Sequence, residues 1–117
     1  TEGTYATIGS VSDLELPPSG KKFLTVFSAK FGIAPEKIEV YSKYGYASMQ
    51  VALAAISKVC KKDRAAILEA MLATKDLDTV VGKLTFDKNG DTTATTMTGY
   101  VVSAKGLWEE ISIKQAP

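Results

Sequence analysis

The stretch 44-YGYASMQVALAAISKVC-60 decides how the rest of the chain is read. Met49, Leu53, Ile56 and Cys60 recur at i, i+4, i+7 and i+11, the spacing of one face of an α-helix, with Ala52, Ala55 and Val59 beside them. Alanine favours helix and permits close packing, so the spacing predicts a helix from about Tyr44 to Val59. Lys61-Lys62 follow, where positive charge suits the negative end of the helix dipole. Asp63 is then placed to cap a further helix whose buried face would carry Ile67, Leu68, Met71 and Leu72, ending near Thr74.

Working outward toward the N-terminus, Ile33 to Glu39 is a connection interrupted by Pro35. Before it, Phe23, Val26, Phe27 and Phe31 repeat at helical spacing, with Leu24 beside them and Gly32 as a stop, so a helix is predicted over about 20–31. Pro17-Pro18 marks Val11 to Ser19 as a loop, since proline continues neither a helix nor a central strand. Thr4 to Ile8 reads as a short strand ending at Gly9-Ser10.

Toward the C-terminus the character changes to strand from Asp78. Val80-Val81-Gly82 leads into Leu84-Thr85-Phe86, and Asp87-Lys88-Asn89-Gly90-Asp91 is a turn with positive φ supplied by Asn89-Gly90. Met97 to Ser103 and Leu107 to Ile113 read as two strands joined at Ala104-Lys105-Gly106. The class is α/β: strand, three helices, then strands. So few strands shield three amphipathic helices poorly, which makes the segment look like part of a larger α/β body.

Composition removes several functions. A chain of 117 residues is one domain's length, burying roughly 65% of its unfolded surface. Fourteen Lys+Arg against thirteen Asp+Glu, net +1, create no field for recruiting nucleic acid. Cys60 is the sole cysteine, so no internal disulfide forms, and its place on the apolar stripe reads as a buried small hydrophobe. No stretch reaches the ~20 apolar residues of a membrane span. Thr1 to Tyr5 lacks the basic and apolar regions of a signal peptide. Histidine, the usual general base, is absent, as are glycine-rich phosphate loops. Glu109 and Glu110 adjoin on a strand-like run and point to opposite faces. Asp87, Asn89 and Asp91 do not make a calcium loop, because Gly90 falls fourth and Thr98 twelfth where glycine is needed sixth and glutamate twelfth. No metal, cofactor or enzymatic activity is expected. Trp108 reads equally as core or as an interface anchor.

Four short stretches resemble one family. Thr1-Glu2-Gly3-Thr4-Tyr5-Ala6-Thr7 is similar to a segment that crosses between lobes in type I periplasmic solute-binding proteins for leucine, isoleucine, valine and related amides. Tyr41 to Val51 resembles the family's "YGYDA" helix start, without its acidic residue. Val81 to Asp91 resembles its "TFDxNGD" turn, and Tyr100-Val101-Val102 followed by Lys105-Gly106-Leu107-Trp108 its closing hairpin. The motifs stand in the family's order and cover nearly the whole chain. The family's first two-thirds have no counterpart here.

The resemblance implies that residues 1–117 are a single domain, the C-terminal fragment of a two-lobe, periplasmic, non-enzymatic protein. That protein would hold a branched-chain amino acid or similar solute and pass it to an ABC permease. It places Tyr41 at an aromatic position lining the amino acid side chain. Tyr44 and Tyr46 lie near the start of the alanine-rich helix, which would face the cleft; the alternative is that all three tyrosines are packing residues. The groups reading the ligand's charged ends would lie in the missing part, so the fragment alone would bind no solute of consequence. Helix faces left uncovered would pair with a second copy, giving a homodimer. Two other readings stay open: a stand-alone dimerising α/β interaction module, and a ligand-sensing domain of the same fold.

Overall fold

The computed structural model describes residues 1–106 and 108–111. These form two compact units, one of 16–94 and one of 1–15 with the segment from Thr95 onward.

In the 16–94 unit, α1 spans Pro18–Phe31, α2 Ser42–Val59 and α3 Arg64–Leu72, with a 3-10 turn at Pro35–Lys37. Pro18 opens α1 rather than ending a loop, because the first helical position has no amide bond to lose and favours proline's fixed φ. Gly32 closes α1 in the left-handed conformation, φ +64°, and donates its N–H to the Ser28 carbonyl. Asp63 caps α3 as expected, its carboxylate accepting the Ala66 N–H at 3.0 Å. That bond, with Lys61 at 3.0 Å, holds the Asp63 carboxyl below its ordinary value.

The buried faces differ from the expected ones. α2 turns Lys43, Ala47, Val51 and Ala55 inward and packs chiefly against α3. Met49, Leu53 and Ile56 lie on the opposite side, 57%, 54% and 47% exposed. Cys60 is exposed too, not a buried hydrophobe; it ends α2 at φ 52°, with its Sγ donating to the Ser57 carbonyl. In α3, Ile67 and Met71 are half-buried while Leu68 and Leu72 are exposed. The physical reason is shared: no layer in this unit lies over the large apolar side chains.

The strands β2 (Leu77–Thr79) and β3 (Gly82–Leu84) form an antiparallel hairpin with register Leu77↔Leu84 and Thr79↔Gly82. Val80-Val81, expected as strand, are its two-residue tip, and Val80 is buried with Phe23 and Ala47. Three features seat that tip. The Val80 N–H donates to the Gln50 side-chain oxygen at 3.0 Å, and Ser19 Oγ donates to the Thr79 carbonyl at 3.2 Å. Gly20 lies so close to the Val80 carbonyl oxygen that a methyl group there would overlap it. Beyond β3, the Asp87 carboxylate accepts the Asn89 and Asp91 N–H groups at 2.8 and 3.0 Å, and Gly90 alone, not Asn89, takes positive φ.

In the other unit, β1 (Tyr5–Ile8), β4 (Thr98–Val102) and β5 (Trp108–Ile111) make an antiparallel sheet in the order β1-β4-β5. Tyr5 pairs with Val101 and Val102 with Trp108. The hairpin turns at Gly106, φ +72°. Leu107 and Ile113 of the expected strand lie outside the described residues. Trp108 is exposed, so it is not core in this chain. Glu110 accepts from Ser12 Oγ at 2.6 Å and from the Tyr100 hydroxyl at 3.3 Å. Burial first, and then Glu110, push the Tyr100 phenol above its ordinary value.

Two outcomes test these contacts. Gly20→Ala inside a helix would ordinarily stabilise; here the added methyl meets the Val80 carbonyl, and a loss of about 2–3 kcal/mol is expected in urea unfolding. Because the folded Asp63 carboxyl lies below its unfolded value, its contribution is complete above that unfolded value and is lost as pH falls through the folded one. Thermal unfolding should therefore weaken with acidification below pH ~4, and Asp63→Asn, which still caps, should flatten that part of the profile.

Candidate functional site

Tyr41, Tyr44 and Tyr46 stand around the first turn of α2, and helix geometry separates them. Tyr41 is the N-cap residue, with φ −86° and ψ −5°, and its carbonyl accepts the N–H groups of both Tyr44 and Gly45 at 3.0 Å. Residues three apart share a helix face, so Tyr41 and Tyr44 meet, ring centroids 6.1 Å apart and tilted by 59°. Tyr41 is 56% exposed and Tyr44 half-buried. The first turn carries no acidic residue, so the positive end of the α2 dipole is not offset by its own sequence.

Two residues further along, the helix has turned by about 200° and Tyr46 faces α1. Its ring lies 5.0 Å from Phe23, which lies 5.4 Å from Phe27, which lies 4.6 Å from Phe31. This row follows from the i, i+4, i+8 spacing on α1. Tyr46, 51% exposed, thereby lines an open groove of about 760 Å³ together with Phe23, Val26, Phe27, Phe31 and Gln50. Lys22 and Lys30 border it, the Lys30 ammonium lying 5.8 Å above the Phe31 ring.

The structure thus pairs Tyr41 with Tyr44 and assigns Tyr46 to a different neighbourhood. Sequence reading named the tyrosines but not the participation of Phe23, Phe27 and Phe31 beside Tyr46, although their spacing was visible. It also did not anticipate Lys43, 2% exposed on the inward face of α2 between the tyrosines. Long polar side chains are seldom buried, and nothing in the helical pattern marks this one. Among the described residues there is no group of three or more metal-ligating side chains, and no helix is long and apolar enough to cross a membrane.

The ring contacts generate one stability test. Tyr46 meets Phe23 through its ring, so Tyr46→Phe should stay within about 0.5 kcal/mol of the parent, whereas Phe23→Ala should cost about 3–4 kcal/mol in denaturant unfolding.

The model of the family described as "Periplasmic binding protein" matches residues 1–106. A leucine-binding protein of Thermotoga maritima superposes with a TM-score of 0.77 at 26% identity, over 95% of this chain and 30% of its own. A branched-chain amino acid transporter substrate-binding protein of Streptococcus pneumoniae, solved with isoleucine, gives 0.68 at 24%, over 90% of this chain and 28% of its own. A type 1 periplasmic binding protein of Bordetella pertussis gives 0.76 at 21%, over 97% and 34%. The chain spans about 30% of the length of the structures it resembles. No functionally curated protein matches it significantly.

Proposed function

The chain belongs to the periplasmic binding protein family, and from that premise we propose that it is the C-terminal part of a two-lobe protein that captures a small solute for ABC-transporter uptake. The family is one of solute-binding proteins and implies an extracytoplasmic location. The fold is a mixed α/β partial domain of the type I kind. The solute proposed is a branched-chain amino acid or a close analogue; the leucine-binding and isoleucine-bound relatives support that choice. The proposed partner downstream is a membrane permease, and no catalytic step is assigned to the chain.

One observation carries the reading: at the start of α2 Tyr41 is more than half exposed, with the half-buried Tyr44 ring beside it, and Tyr46 is half exposed where it rests on Phe23. Rings held by a helix start and by one another are preorganised to receive an aliphatic side chain. The exposed row Met49, Leu53 and Ile56 agrees with it. A helix apolar on both sides belongs inside a larger body, and the relatives are about three times the length of this chain. In this reading the remainder of the lobe covers that row, and Tyr41, Tyr44 and Tyr46 contribute to the solute site only in the intact parent.

A second reading draws on the same row: a stand-alone module whose Met49–Leu53–Ile56 face pairs with a second copy. Both readings let the 117-residue chain dimerise through this row, so the parent reading frame separates them: about 250 further residues ahead of this stretch favour the two-lobe protein, and none the module. A ligand-sensing protein of the same fold would share the solute site and differ in what is joined to it.

Titration calorimetry on the two-lobe parent tests the main reading. Leucine, isoleucine or valine should bind, Tyr41→Ala should weaken binding by about tenfold or more through lost apolar contact, and the 117-residue chain alone should bind none. Equal affinity in Tyr41→Ala, together with Tyr44→Ala and Tyr46→Ala, would remove the tyrosines from the site.

A further inference from the structure

The corner joining α2 to α3 carries an unusual concentration of charge. Lys58, Lys61, Lys62 and Arg64 are all exposed there. Four of the fourteen cations and one of the thirteen acids fall within Lys58–Arg64, which leaves the remainder of the chain with more acids than bases. The one acid, Asp63, is engaged by the Ala66 N–H and by Lys61. Lys58, Lys62 and Arg64 pair with no carboxylate among the described residues.

Helix stability explains only part of this. Lys58 lies in the last turn of α2, where a cation is favoured. Arg64 is the first residue of α3, at the end of a dipole that disfavours cations, while Lys62 stands in the turn between the negative end of the α2 dipole and the positive end of the α3 dipole; the first turn of α3 holds no acid and its last turn no base. Arg64 thus works against the helix that bears it, and the dipoles of the two helices leave Lys62 without a net reason for its charge. The corner is also remote from the tyrosines, since the eighteen residues of α2 put its ends about 27 Å apart.

The chemistry of the occupant follows from the side chains. Three of the four cations are lysines, which protein interfaces deplete, and residues 57–66 include no aromatic ring to serve as an anchor. Flexible, hydrated point charges suit a diffuse, fluid layer of anions rather than a shaped protein pocket. We propose that this corner docks the protein on an anionic phospholipid bilayer, with Lys58, Lys62 and Arg64 as the contacting charges. The inference goes beyond the solute reading and does not depend on which solute is carried.

Vesicle co-sedimentation of the 117-residue chain and of the two-lobe parent tests it. Both should bind vesicles containing about 30 mol% phosphatidylglycerol, should ignore pure phosphatidylcholine, and should be released by about 0.5 M salt. Lys62→Glu with Arg64→Glu should lower partitioning by about tenfold or more, at roughly fivefold per cation removed. Arg64→Glu places an acid where the α3 dipole favours it and offsets Lys62→Glu beside the end of α2, so the melting temperature should be close to that of the unaltered chain, and lost binding will not reflect lost folding. Undiminished binding by the double variant, binding to phosphatidylcholine as strong as to the anionic vesicles, or no binding by the parent at low salt would each overturn the proposal. Solute titration of the same double variant keeps the two ideas apart, because its affinity should match that of the unaltered parent.

Discussion

The 16–94 unit depends on the seating of Val80. Its side chain completes the contact between Phe23 of α1 and Ala47 of α2, and its backbone amide, buried at the hairpin tip, needs an acceptor. Gln50 supplies the acceptor from α2 and Gly20 clears the space on α1. A buried amide without a partner costs about as much as a whole hydrogen bond is worth, so the tip, both helices and the polar side chain between them form one cooperative arrangement. Tyr46 inherits its position from it, because Phe23 is both the wall of this core and the surface on which the Tyr46 ring rests.

The consequence for function lies in the division of α2. Small residues, Ala47, Val51 and Ala55, face inward, Ala47 against Phe23 and Val80, while the large apolar row faces outward. The tyrosines occupy the end where the helix begins, and the unpaired cations the end where it stops. One helix therefore presents three distinct surfaces: a row suited to a larger body, an aromatic rim at one pole and a basic corner at the other. The solved structures this chain resembles are about three times as long.

Features set by local chemistry were legible in the sequence. Asp63 caps α3 because a carboxylate in that position reaches an orphan amide; Gly32, Gly90 and Gly106 stop or turn the chain because positive φ costs them little. Features set by competition between surfaces were not. Met49, Leu53, Ile56 and Cys60 share a helical face, yet periodicity does not say whether a covering layer exists, and the side of α2 that is buried here is the one with the smaller residues. Leu68 and Leu72 follow the same logic on α3. Val80-Val81 have strong strand preference and still form a turn, since burial of Val80 outweighs it. The candidate tyrosines could be listed from their position near a helix start, while the pairing of Tyr41 with Tyr44 and the departure of Tyr46 toward α1 required the packing of two helices.

By itself, then, the sequence determined the order of elements, the caps and turns, and the resemblance of four stretches to one family, because each of these rests on a few adjacent residues. Which faces lie inside, that Lys43 is enclosed, and that Gln50 and Gly20 meet the same hairpin tip were decided only by tertiary structure. Residues thirty or sixty positions apart have no local pattern in common, and what joins them is the requirement that buried polar groups find partners and buried side chains find room.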